Sequence, residues 1–131
     1  MQELTSRELE ILTINRYFQK DKIKRYADFV SKDKTRHKFI SILAHLKDLN
    51  YSMFEKVDQD NKDHFMRRAN EQEVDTCYII SENRRIDRQF MPVQDALNET
   101  VGYGMGTLLV LGEAQVVYYE GEQKEDRWLS R

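Results

Sequence analysis

Residues that interrupt helices are scarce in this sequence and unevenly placed. All five glycines lie between positions 102 and 121, and Pro92 is the single proline. Glycine and proline mark turns and element ends more strongly than other residues do. Their absence from the first 91 positions predicts a mostly helical region. The glycine cluster predicts turns near the C-terminal end.

Cysteine and long apolar runs are also scarce. Cys77 is the only cysteine, which excludes a disulfide within the chain and favours a reducing compartment. No run of about 18 apolar residues is present, so the sequence predicts no membrane span. The first ten residues lack the basic and then apolar pattern of a signal peptide. We therefore expect a soluble, cytoplasmic protein.

Charge of one sign is not in large excess. The 131 residues include 21 Lys and Arg against 23 Asp and Glu, a net charge of -2. This balance does not predict a general polyanion binder. Hydrophobic residues make up 40% of the chain. A chain of this length can bury roughly two thirds of its unfolded surface, so we expect one domain over residues 1–131.

The helical part of the chain is expected over about residues 1–73. Thr5 and Glu8 have the spacing of a capping box, which predicts a first helix over about 6–19. Apolar residues at helical spacing predict a second helix over about 23–30 and a third over about 34–49. Residues 58–64 are polar enough for a loop, and 65–72 could form a further short helix.

The pattern changes to that of a sheet over about residues 74–131. β-Branched and aromatic residues at 76–81 predict a central strand, and 86–91 predict an edge strand. A helix at 93–101 would end at Gly102, before a hairpin of strands 105–111 and 115–120. Trp128 and Leu129 suggest a last strand. We predict an α+β fold, with about three or four N-terminal helices packed on a small, mainly antiparallel sheet that has one inserted helix.

Three motifs resemble known sites but lack the surroundings that those sites need. TVGYG at 100–104 spells a potassium-filter signature, yet the sequence has no membrane helix to hold a pore. The glycines at 102, 104 and 106 follow a helix, whereas phosphate loops precede one. Residues 58–63 begin like a calcium loop, but Lys62 and Asp63 replace the required oxygen ligand and glycine. The histidines show no metal-site spacing, and we predict no metal or cofactor.

A candidate ligand site combines the turn after the first strand with the hairpin. Arg84, Arg85 and Arg88 form a guanidinium cluster, which suits a carboxylate or a phosphate. Loops carried on a sheet often hold sites. Tyr119 and Glu120 on the hairpin complete the predicted set. The alternative is that these arginines only form surface ion pairs.

A second candidate surface lies on the early helices. From residue 16 to residue 38 there are nine Lys and Arg against three Asp and Glu. Aromatic residues at 17, 18, 26 and 29 alternate with these charges, as in some RNA-binding surfaces. The nucleic-acid contacts would be Lys22, Lys24, Arg25, Lys34, Arg36 and Lys38. The competing interpretation is a solvated lysine face above an aromatic core.

These observations favour a binding or interaction protein with an accessory or regulatory role over an enzyme. The expected partner is another protein or a small anionic ligand, and a nucleic-acid partner is disfavoured. An enzyme with Tyr119 and Glu120 as acid and base groups is a third possibility. An open sheet edge at the hairpin would favour a homodimer. We expect Cys77 to be buried in its strand and slow to react.

Overall fold

A computed structural model describes residues 4–58 and 62–131, which form one antiparallel sheet with helices on both faces. The helices are α1 (Ser6–Tyr17), α2 (Lys20–Val30), α3 (Asp33–Ile40), α4 (Lys62–Glu71) and α5 (Val93–Thr100). The strands are β1 (Phe54–Lys56), β2 (Thr76–Ser81), β3 (Phe90–Pro92), β4 (Thr107–Leu111), β5 (Val116–Glu120) and β6 (Arg127–Ser130). Their order across the sheet is β1-β6-β5-β4-β2-β3. The predicted α+β fold is confirmed.

Two hydrophobic cores lie on opposite faces of the sheet. Successive side chains of a strand point to opposite faces. On β2, Tyr78 and Ile80 pack on the core that also contains residues of α1, α2 and α3, such as Leu9. Cys77 and Ile79 pack on the other core, with residues of α4 and α5. Because both faces are covered, β2 has the continuous apolar sequence of a strand buried on two sides.

The first helix begins as its sequence predicts. The Thr5 side chain accepts a hydrogen bond from the backbone N–H of Glu8 at 3.1 Å, and the Glu8 carboxylate accepts one from the backbone N–H of Thr5 at 2.8 Å. These reciprocal bonds form a capping box and satisfy amides that the helix leaves without intrahelical partners. The start of α1 is therefore fixed in place by its own sequence.

The predicted third helix over 34–49 is wrong in its second half. The α3 helix ends at Ile40, a 3₁₀ turn follows at Leu43–His45, and Leu49 pairs with Phe18 in an isolated bridge. The Tyr119 hydroxyl donates to the Leu43 carbonyl at 2.5 Å and accepts from the Leu46 N–H at 3.1 Å. A side chain of the sheet thus replaces the hydrogen bonds that a longer helix would have made.

Three other stretches differ from their predictions. The expected edge strand over 86–91 is reduced to β3, because the chain turns at Asn83, whose carbonyl accepts from the amides of Ile86 and Asp87. The β1 strand was not predicted, since its three residues show no periodicity. The expected loop over 58–64 overlaps the start of α4, and residues 59–61 of the calcium-loop-like stretch lie outside the described residues.

The C-terminal hairpin is confirmed but lies in the middle of the sheet. β4 pairs with β2 on one side and with β5 on the other, and β5 also pairs with β6. The outer strands are β1 and β3. The hairpin therefore has no open edge of the kind on which the homodimer prediction depended, and self-association stays a prediction.

A bilayer span needs a long apolar helix, and none of the helices within residues 4–58 and 62–131 has the required length and hydrophobicity.

Candidate functional site

An open crevice lies between the first turn of α1 and the edge of the sheet at β2 and β3. Its volume is about 580 Å³. Its walls are mostly apolar side chains, with a few polar groups at the rim. The lining residues are Leu4, Thr5, Ser6, Leu9, Val74, Thr76, Tyr78, Phe90, Gly112 and Glu113.

Strand register places the aromatic wall of this crevice. Thr76 and Tyr78 lie two residues apart on β2 and share one face of the sheet. Phe90 is directly opposite Tyr78 in the β2–β3 pairing, and their ring centroids are 4.9 Å apart. Tyr78 is buried, whereas 53% of Phe90 is exposed. An exposed aromatic ring against a buried one gives the crevice a surface on which a flat ligand could stack.

A buried charged group lies under the crevice. The Tyr78 hydroxyl donates to Oε2 of Glu10 at 2.5 Å, and the Glu10 side chain is itself buried. Burial raises the pKa of Tyr78 well above its ordinary value, and the charge of Glu10 adds to this increase. Tyr78 is therefore a neutral hydrogen-bond donor in the physiological range and not a base.

Arg36 connects this carboxylate to a second one. Its guanidinium donates to both oxygens of Glu10 and to both oxygens of Asp87, with its shortest contacts at 2.7 Å and 2.6 Å. Oδ1 of Asp87 also accepts from the backbone N–H of Ser81 at 2.9 Å. We call Glu10, Arg36, Tyr78 and Asp87 the buried ionic network. It joins α1, α3, β2 and the turn after β2, so it holds the base of the crevice in one geometry.

A smaller polar cavity of about 340 Å³ adjoins the crevice. The two share Thr5 and Ser6 in their linings, and the charged residues of the polar cavity are Arg7, Glu10, Asp33 and Arg88. Oδ1 of Asp33 accepts from Nη2 of Arg7 at 3.0 Å and from Nη2 of Arg88 at 3.2 Å. Hydrogen bonding to Arg88, with the charges of both arginines, lowers the pKa of Asp33. Asp33 is thus an exposed anion between two cations.

The five residues of the predicted ligand site are not brought together. Arg88 lines the polar cavity, but Arg85 lies 4.0 Å from Glu99 in an exposed pair, and Arg84 is exposed outside the two cavities. Tyr119 and Glu120 are neighbours on β5, so their side chains lie on opposite faces of the sheet. Of the predicted set, only Arg88 belongs to the crevice region.

Tyr119 and Glu120 are both buried, and each is engaged inside the fold. The Glu120 carboxylate accepts from the Gly102 N–H at 3.1 Å and from the Tyr118 hydroxyl at 2.9 Å, and Nε of Arg127 lies at 3.5 Å. Burial raises the pKa of Glu120 despite these donors. Glu120 on β5 therefore holds the loop that contains Gly102 against the sheet through a hydrogen bond. Because Tyr119 faces the other core, the two groups cannot share a substrate.

The nucleic-acid set divides into one buried residue and five on or near the surface. Arg36 belongs to the buried ionic network, so its assignment to a nucleic-acid surface is wrong. Lys24, Arg25, Lys34 and Lys38 are exposed, and Lys22 is partly so. Of the four aromatic residues, Tyr17, Phe18 and Tyr26 are buried in the core. Phe29 is half-buried, and the charged groups of Arg25 and Lys38 lie 5.6 and 5.7 Å from its ring centroid.

Cys77 and the histidines do not form a site in the part of the chain that the structure describes. Cys77 is buried, as predicted, and burial raises the pKa of its thiol to about 12. No group of three or more His, Cys, Asp or Glu residues in the described ranges is arranged to hold a metal ion. His45 and His64 lie beside Glu122 and Glu55, in separate partly exposed pairs.

The crevice had no local signal in the sequence. Its residues come from four distant segments, around positions 4–9, 74–78, 90 and 112–113. Only the pairing of β2 with β3 and the packing of α1 bring them together. No family model, no curated protein and no solved structure matches this chain.

Proposed function

We propose that this protein is a small-molecule-binding domain, and that its site is the crevice between α1 and the β2–β3 edge. The proposed ligand has a flat, apolar, aromatic body. The observation that carries the proposal is the exposed Phe90 ring, which lies against Tyr78 at the mouth of a crevice of about 580 Å³. The proposed activity is binding and involves no chemical step.

The size and chemistry of the crevice support this proposal. Cavities that bind drug-sized molecules typically have volumes of roughly 300–1,000 Å³, with mostly apolar walls and a few polar groups. Leu4, Leu9 and Val74 supply apolar wall here, and Thr76 and Glu113 are polar, exposed members of the lining. A ligand that covers the Phe90 ring would remove apolar surface from water, at about 25 cal/mol per Å².

The buried ionic network also favours binding. The Tyr78 ring forms part of the wall, and its hydroxyl is held by Glu10, which Arg36 holds in turn. A wall that is rigid before the ligand arrives avoids the ordering cost of association. The site is therefore formed in advance on its β2 side.

The first test is a fluorescence titration with phenyl-naphthylamine, a neutral aromatic dye whose emission rises in apolar surroundings. We expect saturable binding with a dissociation constant on the order of micromolar, equivalent to about -8 kcal/mol. Phe90→Ala should weaken binding about tenfold, which corresponds to about 1.4 kcal/mol. Thr76→Tyr should abolish binding, because a larger side chain at this lining position fills the crevice, and tyrosine suits a strand.

Tyr103→Ala is the matched control. Tyr103 is exposed to 56%, nearly the same as Phe90, but it lies in the loop after α5 and does not line the crevice. This variant should bind the dye like the wild type. Circular dichroism and urea unfolding check that each variant is folded, because loosely folded states also bind such dyes. Equal affinities for the wild type, Phe90→Ala and Thr76→Tyr would refute the proposal.

A further inference from the structure

We infer that the crevice selects ligands that carry an anionic head group, a carboxylate or a phosphate, which Arg7 and Arg88 bind beside the apolar body. This inference rests on the proposed function of the crevice. The two cavities lie on either side of Thr5 and Ser6, which line both, so a ligand that extends past these residues would reach both. Such a ligand would place its aromatic part against Phe90 and its anion in the polar cavity.

The arrangement of the two arginines carries the inference. Arg7 comes from the first turn of α1 and Arg88 from the turn between β2 and β3, yet both contact the same oxygen of Asp33. Two guanidinium groups that converge on one carboxylate oxygen already form an anion-binding geometry. Arg88 reaches it from a backbone with φ of 66°, a conformation that non-glycine residues seldom adopt. The turn thus holds this arginine in an uncommon conformation beside the cavity.

Asp33 occupies the position that a ligand anion would take. Its side chain is 74% exposed, and Arg7 and Arg88 are each about half exposed. Ion pairs this exposed contribute little to stability in water. An incoming anion can therefore join or replace Asp33 at a small cost in free energy. Asp33 is therefore an internal competitor, and its removal should increase the affinity for anions.

The accessible donors of the polar cavity, and not its net charge, favour an anion over a cation. Two arginines, Arg7 and Arg88, and two carboxylates, those of Glu10 and Asp33, line the cavity, so the formal charges of its lining balance. The oxygens of Glu10 already accept hydrogen bonds from Arg36 and Tyr78. Arg7 and Arg88 are about half exposed, so a ligand anion can reach their N–H groups.

The experiment compares two dyes with the same aromatic body. Anilinonaphthalene sulfonate is phenyl-naphthylamine with a sulfonate, whose oxygens resemble those of a phosphate. We expect the wild type to bind the sulfonate dye up to about fivefold more tightly than the neutral dye, a modest preference because the arginines are half exposed. Arg7→Gln and Arg88→Gln should each weaken binding of the sulfonate dye several-fold and leave the affinity for the neutral dye unchanged. Asp33→Asn should increase the affinity for the sulfonate dye alone.

Two controls separate this effect from general charge. Arg84→Gln removes an exposed arginine of the same turn that does not line either cavity, and it should change neither affinity. About 0.5 M salt should reduce the difference between the dyes, because exposed charges are screened. Equal affinities of the two dyes in the wild type, or equal losses for both dyes in the arginine variants, would overturn the inference and leave the proposed function intact. Failure of the neutral dye to bind would overturn the proposed function, and with it this inference.

Discussion

Arg36 donates to both carboxylate oxygens of Glu10, with Nε 3.0 Å from Oε1 and Nη2 2.7 Å from Oε2, and both side chains are buried. A buried ion pair contributes little compared with an apolar pair, but the loss of one partner leaves an uncompensated charge in the core. Hydrogen bonds and charges of Asp87 and Glu10 outweigh burial and raise the pKa of Arg36, so it remains charged. The buried ionic network therefore depends on this one side chain.

Arg36→Met should lower the free energy of unfolding by about 3–5 kcal/mol, because Glu10 would stay buried, and Asp87 partly buried, without their cation. Lys38→Met, on an exposed position of the same helix, should change it by no more than about 0.5 kcal/mol. Urea unfolding of both variants measures the difference. A loss below about 1 kcal/mol for Arg36→Met would show that the network does not hold α1 and α3 on the sheet.

Gly106→Ala should destabilise the protein more than Gly102→Ala does. A Cβ at Gly106 would lie 2.3 Å from the carbonyl carbon of Leu43, so the turn at 43–45 would have to move away from β4. Gly102 has φ of 92° but open space around it, and alanine there should cost only about 1–2 kcal/mol in backbone strain. Thermal unfolding ranks the two variants. The reverse order would contradict the close packing of this turn on the sheet.

Cys77 should react slowly with Ellman's reagent in the folded protein. The thiolate is the reactive form, and burial raises the thiol pKa from 9.0 to about 12. Urea-unfolded protein should label within minutes at pH near 8, whereas folded protein should label only as fast as it opens. Stoichiometric labelling of the folded protein within minutes would contradict the burial of this side chain.

The same shift predicts a loss of stability at high pH. The neutral thiol is favoured in the fold, so its stabilising contribution is complete below the unfolded pKa of 9.0 and is lost as pH rises through about 12. Cys77→Ala removes this titration. Between these pH values, the free energy of unfolding should therefore fall more steeply for the wild type than for Cys77→Ala. If the free energy of unfolding showed the same pH dependence in both proteins, the raised thiol pKa of Cys77 would be refuted.

We expect no micromolar binding of RNA or DNA at physiological salt. Arg36 is unavailable, and three of the four aromatic residues that could stack on bases are in the core. Fluorescence anisotropy with single-stranded RNA and duplex DNA tests this, alongside a variant in which Lys22, Lys24, Lys34 and Lys38 are replaced by Glu. Micromolar binding that falls steeply with salt and is lost in the variant would favour the nucleic-acid alternative.

Local patterns in the sequence predicted the elements whose ends are set by neighbouring residues. The capping box fixes the start of α1, and the β4–β5 hairpin follows from two apolar runs on either side of Gly112. The third helix was predicted too long because its periodic apolar residues continue to Leu49. The group that ends it, the Tyr119 hydroxyl, lies more than 70 positions away, and no local pattern could indicate it.

The candidate site was predicted less well for the same reason. Arg88 was identified from the arginine cluster, but Arg7 and Asp33 meet it only through the packing of α1 and α3 against the turn after β2. A basic residue among lysines usually lies at the surface, so the sequence predicts an exposed Arg36. Its burial follows from two carboxylates that are distant in the sequence.

The most direct test of the crevice as the binding site is a chemical-shift map of isotope-labelled protein titrated with anilinonaphthalene sulfonate. The amides of Leu9, Val74, Thr76 and Phe90 should shift together and saturate with one dissociation constant, because all four residues line the crevice. Shifts confined to the loop around Tyr103 and Met105, where the other exposed large apolar side chains lie, would contradict the crevice as the site. So would the absence of any saturable shift.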